Sequence, residues 1–410
     1  MPYIQRAITP ILKQRVSTSK CMLLVGARQV GKSTLIKHEF EDFNRANFDD
    51  RLTRMQAKEE PKLFFLNNPK PLFIDEVQKE SSILEDIKQI VDESDERGMF
   101  ILSGFQKLEL MKGMSESLAG RVSISELTGL SMREIYGVKF NRHFIPTDEY
   151  IKEREKEIVK YENLWDIIHK GSYPELYDID RDWQEYYSSY VATYLERDIN
   201  ELVATDGITF TKFLTAVAAR TGELLNYSNI AGEVGVSEPT IKNWISILER
   251  TGIVYLLQPY SASALKRAIK TPKLYFRDTG LACYLTRWLT ADTLKCSAVA
   301  GNMFETFVVS EILKSYTNEG KDYKFNIFYY RGKDRNASGE NEINLVIEED
   351  GVLYPVEIKM SGNPKASMGA TNQVLDKVSD KKRGLGVILC LIDKKTYLRE
   401  NLVALPIEFI

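Results

Sequence analysis

The chain contains the run Gly26-Ala27-Arg28-Gln29-Val30-Gly31-Lys32-Ser33-Thr34, which fits the pattern G-x-x-x-x-G-K-[ST] of a phosphate-binding loop. An apolar run of strand length, Cys21 to Val25, precedes it. Leu35 to Phe40 follows without proline or glycine, as a helix does. Strand, glycine loop and helix are the context that this pattern requires. The alternative, an ordinary glycine turn before a helix, is weakened by the agreement of both flanks.

The spacing of this run has a chemical reason. Gly26 and Gly31 let the backbone turn so that its N–H groups face phosphate oxygens, and the following helix adds its positive N-terminal end. We expect Lys32 to contact the β- and γ-phosphates and Ser33 to bind Mg²⁺. All nine residues from Gly26 to Thr34 are predicted to bind the nucleotide.

Length and composition limit the remaining choices. The 410 residues suffice for two or three domains. Four scattered cysteines favour buried thiols in a reducing compartment, and the three histidines form no metal-ligand pattern. No apolar run approaches the roughly twenty residues that cross a bilayer, and the N-terminus lacks a signal peptide's apolar core. We therefore expect a cytoplasmic protein without a membrane partner.

A second apolar strand, Pro71-Leu72-Phe73-Ile74, ends in Asp75 and Glu76, as a Walker B segment does. At this distance from Lys32, Asp75 is predicted to hold Mg²⁺ and Glu76 to polarise the attacking water as a general base. Two solvated acids at a strand end would be the alternative for either residue alone.

Two further residues are candidates for the catalytic set. Ser103 ends the apolar strand that begins at Met99, where a polar side chain can sense the γ-phosphate or orient water. Arg121 follows a glycine and precedes an alternating strand, so it is a candidate sensor or finger for transition-state charge. The alternatives are an ordinary strand end for Ser103 and a surface salt bridge for Arg121.

Alternating strands and helices predict a parallel sheet with helices on both faces and the nucleotide at the carboxyl ends of the strands. The runs 26–33, 74–78, 102–104 and 118–121 resemble an AAA-type group of prokaryotic ATPases whose C-terminal region has no known function. The resemblance implies ATP as the nucleotide. It supports the roles given to Lys32, Ser33, Asp75 and Glu76. Gln78 also matches, without an assigned chemistry.

The rest of the chain divides by composition. Ile151 to Glu157 is a charged run suited to a solvated connecting helix. We predict an ATPase domain (1–140), a junction with a helical segment (141–205), a winged-helix domain (206–290) and a restriction-endonuclease-like domain (291–410).

The winged-helix prediction rests on a helix from Phe210, a second helix with Ser228 as its N-cap, a third from Glu238 to Glu249 and a strand after Gly252. Trp244 is expected in the core. The third helix is only weakly basic, so we expect double-stranded DNA to be bound through the winged helix together with a nearby basic stretch. That stretch consists of Lys266, Arg267, Lys270 and Lys273. Contacts with proteins alone are the alternative.

The C-terminal prediction rests on Glu357-Ile358-Lys359 at the end of a strand and on Glu305 near the start of a helix. These match the D…[DE]-x-K pattern of restriction-endonuclease-like folds, in which two acids bind Mg²⁺. Asn344 stands where the pattern has aspartate, and Glu342 lies two residues away on the same face. We expect the fold without nuclease activity.

Three functional hypotheses follow. The sequence favours a Mg²⁺-dependent ATPase that couples hydrolysis to domain rearrangement on DNA or protein partners, as a monomer or homo-oligomer with Arg121 acting in cis or in trans. A nucleotide-dependent binding switch with little turnover is the second hypothesis. An ATP-regulated nuclease is the third.

Overall fold

The computed structural model describes residues 3–104, 118, 120–178, 181–199, 205–261, 271–333, 340–378 and 380–410, with the backbone alone for 196–199, 333 and 340. Its N-terminal part is built on a parallel sheet. The strands are β1 (Cys21–Val25), β2 (Asn44–Asn47), β3 (Leu72–Asp75), β4 (Phe100–Gly104) and β5 (Val122–Glu126). They lie in the order β2-β3-β4-β1-β5, so their carboxyl ends meet at one edge.

Both faces of this sheet are covered. The helices are α1 (Thr9–Thr18), α2 (Lys32–Glu39), α3 (Arg51–Glu59), α4 (Pro61–Asn67) and α5 (Ile83–Glu93). Alternate residues of β1 enter two apolar cores: Met22 joins the one that includes α1 and α2, and Leu23 joins the one that includes α4 and α5. The predicted parallel sheet with helices on both faces is confirmed.

A helical region follows. It contains α6 (Met132–Ile135), α7 (Asp148–Arg154), α8 (Leu164–Lys170), α9 (Glu175–Asp178), α10 (Trp183–Tyr190) and a π-helical extension, Val191–Ile199. The solvated helix predicted near residue 151 is wrong, because α7 buries Tyr150, Ile151 and Arg154. The Arg154 guanidinium lies over the Phe140 ring, so a charged sequence run here covers a packed interface.

Three helices and a small antiparallel sheet come next. The elements are α11 (Gly207–Ala218), β6 (Glu223–Leu224), α12 (Tyr227–Val234), α13 (Glu238–Arg250), β7 (Val254–Leu257) and β8 (Lys273–Phe276), with strand order β6-β8-β7. Trp244 is buried against Phe213, as predicted for a core residue. Ser228 is not the N-cap of α12, because the Asn226 side chain accepts the capping hydrogen bond from Asn229 N.

The C-terminal part packs α14 (Thr279–Leu285), α15 (Ala291–Lys295) and the buried α16 (Ala300–Asn318) beside a mixed sheet. The strands are β9 (Ile327–Lys333), β10 (Glu340–Glu349), β11 (Val352–Lys359), β12 (Lys382–Arg383), β13 (Gly386–Cys390), β14 (Thr396–Arg399) and β15 (Leu402–Pro406). Asp350 and Gly351 both have positive φ in the predicted hairpin turn between β10 and β11. In the described part of the chain, no helix is long and apolar enough to cross a membrane.

Candidate nucleotide site and a C-terminal charge cluster

The glycine loop lies at the carboxyl edge of the parallel sheet, between β1 and α2. Gly31 has φ 96°, a left-handed conformation that favours glycine. A Cβ on Gly26 would lie 2.2 Å from the Leu127 carbonyl oxygen, so only glycine fits there. Both glycines of the pattern therefore have steric reasons in this fold, and the N-terminus of α2 opens at the loop.

Lys32 is buried inside the loop. Its Nζ donates to the carbonyl oxygens of Gly26 (2.9 Å) and Ala27 (3.0 Å). Burial lowers the pKa of Lys32 to about 8, although the carboxylates of Glu76 and Asp75 act in the opposite direction. The ammonium is thus held by neutral carbonyls, which a phosphate can replace.

Asp75 connects two of the predicted residues. Ser33 Oγ donates to Asp75 Oδ2 at 2.5 Å, and the buried Ser103 hydroxyl donates to Asp75 Oδ1. The hydroxyl and the carboxylate are hard oxygen ligands of the kind that Mg²⁺ prefers. The structure therefore brings Ser33, Asp75 and Ser103 together at one point beside the loop.

Glu76 follows directly, in a left-handed conformation with φ 55°. Burial raises the pKa of its carboxyl group, which suits a group that accepts a proton near neutral pH. The Gln78 side-chain amide donates a hydrogen bond to the Glu76 carboxylate. Gln78, to which the sequence assigned no chemistry, orients the candidate general base.

A cavity of about 500 Å³ opens over Lys32, Ser33 and Glu76. Its volume is within the range of small-molecule sites. Tyr3 and His38 stack in its wall, with ring centroids 4.3 Å apart. Several residues of this wall are not predicted from the sequence, because they carry no local pattern and most lie far from the loop in the chain. They are Tyr3, Ile4, Arg6, His38, Leu130, Pro174, Glu175 and Asp178, which line the cavity together with Arg28, Gln29, Gly31, Lys32, Ser33, Thr34 and Glu76.

Arg6 fixes the position of the glycine loop. Its buried guanidinium pairs with Glu134 at 3.0 Å and donates to the carbonyl oxygens of Val30 (2.8 Å) and Thr128 (2.7 Å). These bonds fix the loop against the segment that follows β5. Arg6 is a positioning residue whose only sequence signal was its charge.

The tip of the loop contacts the helical region. Tyr186 OH donates to Gln29 Oε1 at 2.8 Å, and the Arg28 guanidinium lies 5.6 Å from the centre of the Tyr194 ring. Gln29 has φ 61°, which is uncommon for a residue with a side chain. Two of the variable positions of the pattern are thus held by α10 and its extension.

Arg121 lies elsewhere. It precedes β5, whose first residue pairs with Cys21 at the start of β1, whereas the loop leaves the other end of β1. Its guanidinium forms a partly exposed salt bridge with Asp92. Sheet topology places Arg121 at the edge opposite the loop, so of the alternatives left open the geometry favours a surface salt bridge in its own chain, and action in trans stays a prediction.

Residues from the C-terminal half form a wall behind the loop. Arg277 Nη1 pairs with Glu126, the last residue of β5, at 2.5 Å. Asp278 accepts from Ser172 N (2.6 Å) and from Tyr187 OH (2.7 Å), and Ser172 in turn accepts from Leu130 N at 2.7 Å. The wall therefore links the edge of the N-terminal parallel sheet to the helical region.

The four residues predicted for the restriction-endonuclease-like domain also meet. Asn344 Nδ2 donates to Glu305 Oε2 at 2.8 Å, and Lys359 Nζ pairs with Glu357 Oε2 at 2.9 Å. Burial raises the pKa of Glu357 to about 7. Asn344 Oδ1 accepts from Ile358 N at 3.0 Å, so the amide connects α16 with β11.

Lys273, predicted to contact DNA, is buried in this cluster instead. Its Nζ pairs with Glu342 at 2.5 Å and with Glu305 at 3.2 Å, so it is unavailable to a phosphate backbone. The other residues of the basic stretch, Lys266, Arg267 and Lys270, lie outside the described residues.

Three family models match the chain. Residues 18–136 match a model described as AAA domain. Residues 161–292 and 300–410 match two models described as domains of unknown function, DUF8612 and DUF4143. The first match covers the sheet and the loop, and it supports an AAA-type P-loop ATPase, which implies nucleotide binding, typically with Mg²⁺.

The chain is also similar to two mycobacterial proteins, Uncharacterized protein Rv2008c of Mycobacterium tuberculosis and Uncharacterized protein Mb2031c of Mycobacterium bovis. Each is 26% identical over 375 residues, which cover 89% of this chain and 76% of the relative. The similarity therefore extends over the ATPase part and the C-terminal half together.

Solved structures with similarity include a STAND protein with a tetratricopeptide repeat sensor, PH0952, from Pyrococcus horikoshii (10% identity, 77% of this chain and 47% of that chain, TM-score 0.27). A second is a RuvB variant from Thermotoga maritima (14%, 60% and 85%, TM-score 0.26). Both TM-scores are below 0.5, so neither structure indicates a function for this chain.

Proposed function

We propose that this protein binds ATP with Mg²⁺ at the loop of residues 26–34 and hydrolyses it. The observation that carries the proposal is the convergence of Lys32, Ser33 and Glu76 on one open cavity, with Asp75 hydrogen-bonded to Ser33 beside it. The two alternatives are an ordinary glycine turn and a pair of solvated acids. Neither alternative predicts that the acids at the end of β3 lie beside the loop.

The residues fit a Mg²⁺–nucleotide pair. Ser33 Oγ and Asp75 Oδ2 are already 2.5 Å apart at the N-terminus of α2, and a bound Mg²⁺ would neutralise charge on the transferring phosphoryl group. Lys32 would exchange its two carbonyl partners for phosphate oxygens. Glu76 would accept the proton of the attacking water, and Gln78 would keep its carboxylate oriented. Ser103 would hold Asp75 in place.

The proposal extends to a change in domain arrangement. Lys32 must leave the carbonyls of Gly26 and Ala27 to contact a phosphate, so the loop responds to the nucleotide. Behind the loop stand the Arg277–Glu126 ion pair and the Asp278–Ser172 hydrogen bonds, which connect it to the helical region. These contacts give a route by which a nucleotide-dependent shift would reach the C-terminal half.

The helices α11 to α13 with the sheet β6-β8-β7 have the element order of a winged helix, and we propose that assignment for residues 206–290. DNA binding through this domain is a further proposal. Lys242 on α13 pairs with Glu238 at 2.7 Å, and Lys273 is buried between acids, so a DNA phosphate would have to be bound by other basic residues of the domain. Protein partners are the alternative.

A nucleotide-dependent binding switch is a second candidate function, and the position of Arg121 favours it. A P-loop ATPase gains much of its turnover from an arginine at the γ-phosphate. Arg121 lies at the far edge of the sheet in its own chain. Rapid hydrolysis would therefore need Arg28, which lines the cavity, or Arg121 of a second copy in a homo-oligomer.

Steady-state ATP hydrolysis with Mg²⁺, measured with and without duplex DNA, tests these proposals. We expect turnover by the wild type, none by Lys32→Ala, and wild-type turnover by Lys37→Ala, a matched control on the exposed side of α2. Stimulation by DNA would support a DNA-coupled ATPase. Nucleotide binding without any turnover would support the switch. Turnover that persists in Lys32→Ala would contradict the proposed site.

A further inference from the structure

The charge cluster of the C-terminal half combines residues of four elements. Glu305 comes from α16, Glu342 from β10, and Glu357 with Lys359 from β11. Lys273 comes from β8 of the small antiparallel sheet. The outer strands of that sheet hold the backbone of Lys273, which pairs with Leu257 and Leu224. Lys273 therefore enters the cluster from a different sheet, on a strand that is paired on both sides.

A divalent cation, which the resemblance to restriction-endonuclease-like folds implies, does not fit the described side chains. Both oxygens of Glu305 already accept hydrogen bonds: Oε2 from Asn344, and Oε1 from Tyr275 OH (2.6 Å) and Lys273 Nζ. Glu342 Oε1 also accepts from Lys273. Among the described residues, no three metal-binding side chains lie close enough together to hold an ion.

We infer that the Lys273 ammonium takes the place of a divalent cation in this cluster. The ammonium lies between the carboxylates of Glu305 and Glu342, where a metal would neutralise them, and it is almost fully buried. Lysine supplies three hydrogen-bond donors at one fixed point, and the Tyr329 ring lies 5.9 Å from Nζ. Glu305 of the nuclease pattern and the nearby Glu342 thus serve to join β8 to α16 and β10.

The remaining acid lies outside the two Lys273 ion pairs. Glu357 Oε1 is buried and accepts no hydrogen bond from the described residues, although Oε2 pairs with Lys359. Removal of Lys273 would leave Glu305 and Glu342 facing each other without a cation, so these side chains would rearrange with Glu357 around a divalent ion.

The test is Mn²⁺ binding to the nucleotide-free full chain, by calorimetry and by the shift of the thermal midpoint. The wild type should bind as much Mn²⁺ as Glu357→Gln. Lys273→Met, which keeps an apolar stem, should gain a Mn²⁺-dependent rise of about 5 °C. Lys273→Met combined with Glu357→Gln should lose that rise. Any ion held by Ser33 and Asp75 is common to all variants and cancels.

Two results would overturn the inference. Mn²⁺ binding by the wild type that Glu357→Gln removes would show a metal site in the presence of Lys273. A folded Lys273→Met that gains no Mn²⁺ dependence would show that the ammonium does not stand in for a cation. If Lys273→Met does not fold, Mn²⁺ binding is compared between the wild type and Glu357→Gln alone. Equal Mn²⁺ binding by these two proteins supports the inference, and unequal binding refutes it.

Discussion

Two buried lysines of this protein lie beside pairs of acids, and their surroundings differ in one respect. Lys32 of the nucleotide loop is held by the neutral carbonyls of Gly26 and Ala27, beneath an open cavity of about 500 Å³. Lys273 of the C-terminal cluster is held by the carboxylates of Glu305 and Glu342. An ammonium bound to carbonyls can be transferred to a phosphate, whereas one bound to buried carboxylates leaves uncompensated charge when it moves.

The largest expected effect concerns the acid at the open site. Glu76→Gln removes the candidate general base but keeps the volume and the hydrogen-bonding capacity of the side chain. We expect single-turnover hydrolysis to fall by about 10²- to 10⁴-fold, with nucleotide affinity retained. A matched control is Glu80→Gln, in the short helix after Glu76 but outside the cavity lining. Equal losses in both variants would remove Glu76 from the mechanism.

The second prediction compares the two ammonium groups of the C-terminal cluster. Lys273→Ala leaves Glu305, whose side chain is 14% exposed, and the partly exposed Glu342 without their cation, so we expect a loss of up to about 3 kcal/mol in the free energy of unfolding. Lys359→Ala should cost about 1 kcal/mol or less, because the Lys359 side chain is 37% exposed and its partner Glu357, whose pKa burial raises to about 7, can take up a proton near neutral pH. Urea unfolding of both variants measures the difference. Equal losses in the free energy of unfolding would show that the Lys273 ammonium stabilises the fold no more than the Lys359 ammonium does.

The third prediction uses the pKa of Lys32, which burial lowers to about 8. A bound phosphate favours the charged ammonium, so the pKa rises in the complex and binding takes up a proton above pH 8. Affinity for ATP should therefore be full below pH 8 and fall by up to about tenfold per pH unit above it. Calorimetric titrations between pH 7 and 9.5 measure this, and Lys32→Ala should show no such slope.

The smallest effect concerns Gln78, which orients the Glu76 carboxylate. Gln78→Ala removes one hydrogen bond to a charged group, so we expect kcat to fall by about tenfold with little change in KM. The neighbouring Lys79→Ala is the control, since Lys79 pairs with Asp49 at the surface. A change in KM alone would assign Gln78 to binding instead of to the orientation of Glu76.

The sequence predicted what depends on local pattern. The loop, the strand that ends at Asp75 and the turn at Asp350-Gly351 each need only a few adjacent residues. Parallel topology then brought Ser33 and Asp75 together, because the carboxyl ends of parallel strands lie at the same edge. The same topology explains the position of Arg121: a residue before a strand lies at the opposite edge from a loop that follows one.

The contacts that the sequence could not predict join residues far apart in the chain. Arg6 reaches Glu134 across 128 positions, and Lys273 reaches Glu305 across 32. Lysine and arginine are most often exposed, so composition gave Lys273 a surface role in a basic stretch. Its burial follows from the docking of β8 against α16 and β10, which no periodicity in the sequence encodes.

The most direct measurement is the affinity for a non-hydrolysable ATP analogue with Mg²⁺, by calorimetry on wild type, Lys32→Ala and Lys37→Ala. The proposed site predicts that Lys32→Ala lowers affinity by about 100-fold or more, since it removes a buried charge-assisted contact to the phosphates, while Lys37→Ala binds as the wild type does. Equal binding by wild type and Lys32→Ala would contradict the assignment of the loop of residues 26–34 as the nucleotide site.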